Sequence, residues 1–253
     1  MRYLIRRLAR SVGLGQVHHH CRDTEDVGKH LRALGFFPRT FIDVGVAHGT
    51  YELYDLWPDA RLLLIEPVRE FEPSLKWICQ HRQSADYRLV AAGESDGEIT
   101  ISGVGRMVGE VGLPLVNDEV RRVPMRRLDG LIDEMGGEPP FLLKVDVQGA
   151  EASVLAGAGA TIGQSEVILL EAAMYPYGGN PTIVELVNLM KDFDYVPYDF
   201  YEGLLRPLDR ALGQIDVAFV KANGSFRQSM CWGVTPDTIE RKIITKLRRF
   251  LGV

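Results

Sequence analysis

The sequence predicts an α/β domain built on a parallel β-sheet with helices on both of its faces. Short apolar runs typical of buried strands alternate with segments whose apolar residues recur at helical spacing, the order expected of a doubly wound sheet. The run Thr40–Val44 contains Asp43, and the run Phe141–Val145 is followed directly by Asp146. A glycine turn follows each run. Ligands bind at strand carboxyl ends in open α/β sheets, so we expect a ligand site at this edge.

Length and composition are typical of an ordinary globular protein. The 253 residues suffice for one large domain with a full core. No apolar run approaches the roughly 18 residues of a membrane span. The three cysteines are widely spaced and form no CxxC pair, which favours a reducing compartment and argues against a zinc site. We therefore expect a cytoplasmic protein.

Charge is distributed unevenly, with basic ends flanking an acidic middle. Residues 1–16 carry a net charge of +4 and residues 236–253 a net charge of +3, so the rest of the chain holds −12. Both ends place apolar residues at helical spacing beside basic ones, which predicts short amphipathic helices. The acidic middle argues against a nucleic-acid partner.

The N-terminal basic helix has three interpretations. It could be a membrane-surface anchor, an organelle presequence, or a helix packed on its own domain with a solvated arginine face; we place the packed helix first. Together the two terminal helices also leave open a peripheral contact with the inner membrane surface, and a homodimer contact.

The pattern predicts three parts of the chain. Residues 1–38 form an N-terminal helical extension, residues 39–222 the core domain, and residues 223–253 a C-terminal tail with a basic helix. We see no internal repeat and no linker that divides the core.

Some connections are also predicted. Residues 103–119 carry four glycines without a clear period, which indicates a mobile loop of the kind that forms lids. The third strand is predicted at Tyr87–Ala91, with a hairpin-like turn at Gly93–Gly97. Residues 201–214 are predicted as a longer loop between the last two strands.

The turn Gly45-Val-Ala-His-Gly49 predicts a cofactor site, because the following helix would direct its N-terminus at an anionic group. A dinucleotide fingerprint requires G-x-G-x-x-G, and the third glycine is absent here, with Tyr51 in the following turn. Glu66, at the end of the second strand, suits a ribose diol. Both competing cofactor classes place an acid there, so the turn alone does not decide between them.

Four motifs together resemble the FkbM-type family of S-adenosylmethionine-dependent methyltransferases: Asp43-Val-Gly45 with Gly49, Ile65-Glu66-Pro67, Leu128-Asp129 and Leu143-Lys-Val-Asp-Val-Gln-Gly-Ala-Glu151. The resemblance covers about Thr40 to Lys221, and the segment around Asp146 is its most specific part. It implies a Rossmann-like class I methyltransferase fold, with a seven-stranded, mostly parallel sheet and an antiparallel last strand, Ile215–Val220. It also implies methyl transfer to a hydroxyl oxygen, commonly on sugars, glycolipids, polysaccharides or polyketides.

The resemblance implies a place for the methyl donor. The turn from Gly45 to Gly49 would pass beneath the methionine part of S-adenosylmethionine, and Asp43 would orient that part. Glu66 would accept hydrogen bonds from both ribose hydroxyls.

The resemblance likewise implies the rest of the cofactor site. Ala91, Ala92 and the turn Glu94–Gly97 would lie near the adenine. Asp146 would lie beside the sulfonium and the acceptor oxygen.

Transfer to an alcohol calls for a general base, because the hydroxyl is a weak nucleophile whose proton must leave; such a base contributes typically about 10²–10⁴-fold. Asp146 is the first candidate and Glu171, at the end of the neighbouring strand, the second. Glu151 either takes part in the chemistry or stabilises the N-terminus of its own helix. Asp146 and Glu171 could instead share a Mg²⁺ ion that lowers the pKa of the acceptor, and oxygen ligands leave no diagnostic spacing that would decide this.

Three further side chains are candidates for substrate contact. Tyr175 and Tyr177 could stack on a sugar ring, with packing at the rim as the alternative. His48 departs from the family, which usually carries a small or amide-bearing residue near this position; it either contacts substrate or faces solvent.

Three functions therefore compete. The first is an O-methyltransferase, and the second is a nicotinamide-dependent Rossmann oxidoreductase, which the missing third glycine disfavours. The third is a non-catalytic module that binds a membrane surface or a partner, supported only by the two basic ends.

Overall fold

A computed structural model describes residues 22–101, 120–176 and 180–229. The strands in these ranges are β1 (Thr40–Val44), β2 (Arg61–Ile65), β3 (Ala85–Arg88), β4 (Ala91–Gly93), β5 (Gly97–Ile101), β6 (Arg121–Arg127), β7 (Phe141–Val145), β8 (Ser165–Ala173), β9 (Tyr195–Leu205) and β10 (Leu212–Lys221). The α-helices are α1 (Thr24–Ala33), α2 (Tyr51–Tyr54), α3 (Glu72–His81), α4 (Leu128–Met135), α5 (Glu151–Ala156), α6 (Gly159–Gln164) and α7 (Ile183–Asp192).

Seven strands form the main sheet in the order β3-β2-β1-β7-β8-β10-β9. Strands β3, β2, β1, β7 and β8 pair in parallel, and β10 runs antiparallel to both of its neighbours, β8 and β9. The predicted fold class, a seven-stranded and mostly parallel sheet with an antiparallel last strand, is confirmed.

The third predicted strand was placed wrongly. Strand β3 ends at Arg88, and Ala91–Gly93 is a separate strand in a second, three-stranded sheet of order β4-β6-β5. Strand β6 lies between β4 and β5, so the segment Gly93–Gly97 does not join two paired strands as a hairpin would. The local turn signal could not show this, because the intervening strand comes from a distant part of the chain.

The predicted loop over residues 201–214 is also wrong. Strand β9 continues to Leu205 and β10 begins at Leu212, so only residues 206–211 connect them. Ladder pairs such as Tyr201 with Asp216 hold the added residues in the sheet.

Helices cover the main sheet on both faces, and successive residues of a strand point to opposite faces. On one face, Ile42 and Val44 pack in a core with residues of α4, α5, α6 and α7. On the other face, here called the α1–α3 face, Phe41 packs in a core with residues of α1, α2 and α3. Asp43 is two residues beyond Phe41 and therefore points to the α1–α3 face as well, which places the polar groups described below.

Helix α1 joins this core directly. Asp23 caps it by accepting a hydrogen bond from the Asp26 N–H at 2.7 Å, and Val27 and Leu31 are buried against the α1–α3 face. The predicted division of the chain at residues 38 and 222 stays a prediction.

Several predictions fall outside the described residues: the basic helices within residues 1–16 and 236–253, the loop at residues 103–119, and Tyr177. In the ranges that the structure covers, no helix is long and apolar enough to cross a membrane.

Candidate active site

A row of polar side chains crosses the sheet on the α1–α3 face at the carboxyl ends of the parallel strands. The strand registers set Asp43 beside Lys144, Glu171 beside Asp216, and Asp216 beside Tyr201. Their apolar neighbours at i±2 in β7, β8 and β10 are Leu142, Leu169 and Ala218, all in the core of the α1–α3 face. We call Lys144, Asp146, Glu171, Asp216 and Tyr201 the polar row.

The turn after β1 has the backbone that a cofactor loop requires. Gly45 has φ +85° and Gly49 φ +98°, a region that glycine adopts without strain. A Cβ atom added to Gly45 would lie 1.8 Å from the carbonyl oxygen of Asp146. The predicted cofactor turn therefore packs directly on the segment that carries the candidate base.

Asp43 is fully buried beneath this turn. Its Oδ2 accepts hydrogen bonds from Thr50 Oγ1 at 3.2 Å and from the Tyr54 hydroxyl. Its Oδ1 has no hydrogen-bond partner among the described residues, and Lys144 Nζ lies 3.9 Å away. Burial raises the pKa of Asp43. A buried acceptor atom left without a donor fits the predicted role of orienting an amino-bearing group of the cofactor.

Glu66 is 4% exposed and holds the cofactor turn in place. Its Oε2 accepts a hydrogen bond from the Ala47 N–H at 2.9 Å, and its Oε1 accepts one from the Val68 N–H at 2.8 Å. Burial raises its pKa. A carboxylate has about four lone-pair sites, so two remain for the two ribose hydroxyls and the residue fits a ribose diol.

The residues predicted near the adenine lie in β4. Ala91 and Ala92 are both buried, and Ala92 packs in the core beside Val90 and Leu128, on the face away from the polar row. The side chain of Ala92 is thus used in packing, and its predicted place near the adenine stays a prediction. The adjoining Glu94 N–H donates a hydrogen bond to Ser153 Oγ at 3.3 Å.

The two candidate bases are joined by one side-chain amide. Gln148 Nε2 donates to Asp146 Oδ1 at 2.9 Å and to Glu171 Oε2 at 3.0 Å. On the other side of Asp146, Lys144 Nζ lies 3.1 Å from Oδ2. Both oxygens of Asp146 therefore accept a fixed donor, which holds the carboxylate in one orientation.

Burial and mutual repulsion shift the ionisation of the other acids. Burial, together with the charges of Asp146 and Asp216, raises the pKa of Glu171 to about 8. Burial and the charge of Asp146 raise the pKa of Asp216 to about 7. Burial alone would lower the pKa of Lys144, but Asp43 and Asp146 outweigh it, and the pKa is raised.

Sequence reasoning missed Asp216, Tyr201 and the role of Lys144. A signal for Asp216 was present, because it is an acid inside the otherwise apolar predicted strand Ile215–Val220. Tyr201 had been placed in a loop. All three line a small cavity of about 10 Å³ with Asp146 and Glu171, close to the volume that one water molecule needs.

Glu151 is buried and points back to the turn that precedes α5. Its carboxylate accepts hydrogen bonds from the Val147 N–H at 3.1 Å and from the Gly149 N–H at 3.1 Å. Burial raises its pKa. This geometry supports the structural alternative for Glu151, since its oxygens bind the backbone of the loop.

The described residues contain no group of three or more His, Cys, Asp and Glu side chains placed to hold a metal ion. The amide nitrogen of Gln148 bridges Asp146 and Glu171, and the Mg²⁺ alternative for these two acids stays a prediction.

The candidate substrate residues lie on two sides of the site. His48 is exposed, with its ring 4.9 Å from that of Phe71 and its Nδ1 3.3 Å from Ser74 Oγ. Tyr175 stacks under the guanidinium of Arg206, which lies 4.3 Å from the ring centroid.

Tyr175 and Arg206 line a groove of about 460 Å³ together with Leu204, Leu205 and Gln214. Gln214 is paired with Ala173, two residues along the ladder from the Asp216–Glu171 pair. The groove therefore opens next to the polar row.

Several solved methyltransferases show similarity to this structure at low sequence identity. Precorrin-6y C5,15-methyltransferase from Geobacter metallireducens is 10% identical, with 78% of this chain and 87% of that chain covered and a TM-score of 0.44. The 1,6-didemethyltoxoflavin-N1-methyltransferase from Burkholderia thailandensis is 13% identical, with 78% and 77% covered and a TM-score of 0.44. Magnesium protoporphyrin IX methyltransferase from Synechocystis is 10% identical, with 78% and 77% covered and a TM-score of 0.42. No curated protein matches the sequence.

The strand order, the glycine turn after β1 and the acids at the strand ends define a methyltransferase of the Rossmann-like class I fold. The model of the FkbM methyltransferase domain matches residues 43–197, more than half of the chain. The protein belongs to the FkbM methyltransferase family, which confirms the resemblance drawn from its motifs and leaves the oxidoreductase alternative without support.

Proposed function

We propose that this protein transfers a methyl group from S-adenosylmethionine to a hydroxyl oxygen of a sugar, glycolipid, polysaccharide or polyketide-type acceptor. One observation carries the proposal: the Asp146 backbone packs against Gly45 of the cofactor turn, while Lys144 and Gln148 hold the Asp146 carboxylate in one orientation. A fixed carboxylate beside the cofactor turn is what proton removal from an alcohol requires. Family membership supplies the reaction class.

The chain offers three groups to hold the methyl donor. Asp43 Oδ1 is an acceptor without a donor among the described residues, Glu66 keeps two acceptor sites, and the turn has side-chain-free backbone at Gly45 and Gly49. When bound, S-adenosylmethionine supplies an electrophilic methyl group on a positively charged sulfur.

Asp146 is the better of the two candidate bases. Burial and the charges of Asp146 and Asp216 raise the pKa of Glu171 to about 8, so Glu171 is mostly protonated at neutral pH and is the poorer base there. Asp146 has a fixed donor at each oxygen, Lys144 Nζ at 3.1 Å from Oδ2 and Gln148 Nε2 at 2.9 Å from Oδ1, so its carboxylate is held in one orientation. We therefore assign Asp146 as the base and Glu171 as a neighbour bound to it through Gln148.

Binding and product analysis test this function. Calorimetry should show binding of S-adenosylmethionine and none of NAD. Incubation with methyl-labelled donor and a panel of sugar, glycolipid and polyketide-type acceptors should yield a methyl ether, identified by mass spectrometry. Binding of NAD alone, or label found on nitrogen or carbon only, would overturn the proposal.

The partner and location predictions remain proposals. We propose a cytoplasmic protein whose basic ends contact the inner membrane surface, where a lipid-linked acceptor would be presented; a homodimer contact is the alternative. The support is the net charge of +4 and +3 on residues 1–16 and 236–253. Salt-sensitive flotation with anionic vesicles, lost when both ends are deleted, is expected. No flotation, or a deletion that changes only the oligomeric state, would reject it.

A further inference from the structure

Two acids face each other across β8 and β10, and neither forms an ion pair within the described part of the chain. Glu171 and Asp216 are directly opposed in the antiparallel register, so their side chains point to the same face. Cβ atoms of directly opposed residues lie about 4.5–5.5 Å apart, and like charges at such positions repel. The cavity that both residues line has room for about one water molecule, and both residues are only partly exposed, so solvent screens their charges less than it would at the surface.

The charged side chains that act on Glu171 and Asp216 include more acids than cations. Lys144 from β7, Asp146 just beyond β7, and Tyr201 from β9 line the same cavity, and the charge of Glu202 on β9 also acts on Asp216. Glu151 contributes from the start of α5. Lys144 is the one cation of the polar row, and its Nζ is bound to Asp146 at 3.1 Å.

We propose that Glu171 and Asp216 share one proton across the β8–β10 pair, and that Asp216 is a positioning residue which keeps Glu171 protonated so that Asp146 alone serves as the base. The first half concerns the free protein, and the second half rests on the proposed function. The shared proton removes the repulsion between the facing carboxylates. It also leaves Gln148 bridging one ionised carboxylate, Asp146, and one protonated neighbour. Removing Asp216 removes one of the causes that hold a proton on Glu171, beside burial and the charge of Asp146.

Carboxyl-carbon NMR on the cofactor-free protein tests the sharing. With Asp and Glu side chains labelled, one carboxyl of each type should titrate near neutral pH, and each signal should be assigned by its loss in Asp216→Asn or Glu171→Gln. In Asp216→Asn the midpoint of Glu171 should fall by about one pH unit or more, and in Glu171→Gln that of Asp216 should fall likewise. Asp209→Asn, an exposed acid in the β9–β10 connection, is the matched control and should move neither midpoint.

The outcomes are decisive in both directions. If either midpoint stays in place when the opposite acid is removed, or if both acids titrate in their ordinary range, the sharing is refuted. Each variant tests the pair independently, so one that fails to fold leaves the other to decide.

Methyl transfer tests the positioning role. Asp146→Asn should be almost inactive, and the double variant Asp146→Asn/Asp216→Asn should regain part of the activity at neutral pH, because Glu171 can then ionise and accept the proton. A merely structural role of Asp216 would make the double variant no better than the single one. If the two acids titrate as a pair but no methyl transfer is found, only the proposed function is rejected. If methyl transfer depends on Asp146 but the two acids do not titrate as a pair, only this inference is rejected.

Discussion

Gly45 and Asp146 meet at a point where no side chain fits. A Cβ atom at Gly45 would lie 1.8 Å from the carbonyl oxygen of Asp146, and Gly45 has φ +85°. The turn that would hold the methyl donor and the segment that carries the base are therefore in direct backbone contact. A change in either one is transmitted to the other, because backbone atoms cannot move aside as a flexible side chain can.

Gly45→Ala should damage both stability and cofactor binding. The added methyl group clashes with backbone and requires a positive φ, so we expect a loss of about 2–4 kcal/mol in the free energy of unfolding and weaker binding of S-adenosylmethionine. Gly163→Ala is the matched control, because a Cβ there meets nothing within 4 Å inside α6. Thermal unfolding and calorimetry measure both effects. Equal melting temperatures for the two variants would contradict the prediction.

Glu66→Gln should weaken S-adenosylmethionine binding by about 1–3 kcal/mol, because a charged acceptor for ribose hydroxyls is lost. The amide nitrogen of the glutamine would also face one of the two N–H donors, those of Ala47 and Val68, that the carboxylate now accepts. Calorimetry should show no such loss for Glu52→Gln, an exposed glutamate on α2. An unchanged affinity for the Glu66 variant would dismiss the ribose assignment.

Asp146→Asn should reduce turnover by about a hundredfold or more while the fold is retained, because the general base is removed. Glu171→Gln should cost less, since Glu171 is already mostly protonated at neutral pH. Single-turnover rates with labelled donor compare the two, with Asp192→Asn at the exposed end of α7 as control. If the Asp146 variant keeps near-normal turnover and the Glu171 variant loses it, Glu171 is the general base and Asp146 is not. Activity lost to a chelator and restored by Mg²⁺ would revive the metal alternative.

Lys144→Met should destabilise the protein by about 3–5 kcal/mol, because it leaves the carboxylates of Asp43 and Asp146 without their nearby cation. Lys144 is largely buried, at 12% side-chain exposure, and lies 3.1 Å from Asp146 Oδ2 and 3.9 Å from Asp43 Oδ1. Urea denaturation measures the free energy of unfolding of this variant and of the control Lys191→Met, a change at the exposed end of α7. A loss no larger than that of the control would show that Lys144 is not needed to balance these acids.

The raised pKa of Asp216 predicts a pH dependence of stability. The pKa is about 7 in the folded protein and near 3.8 ordinarily, so between these two pH values the folded state holds more protons than the unfolded state. Stability therefore falls as pH rises through this window, and the whole cost is present above pH 7. Asp216→Asn should raise the free energy of unfolding by about 1–3 kcal/mol at about pH 8, and by little at about pH 4. A gain that is the same at both pH values would exclude this origin.

The sequence by itself determined the elements that bury both faces of the sheet. Strands β1, β2 and β7 begin and end where the predominantly apolar runs predict, because a central parallel strand is buried on both faces. Asp43, Glu66 and Asp146 were found for the same local reason: each ends, or nearly ends, such a run beside a turn.

Only the tertiary structure decided which strands pair and which acids meet. Strand β6 separates β4 from β5, and β9 extends into its ladder with β10; both facts depend on partners distant in sequence. Asp216 faces Glu171 for this reason, although 45 positions separate them along the chain. The register between β8 and β10 places these two acids side by side. The residue pattern within either strand does not determine which residue of the other strand will lie opposite.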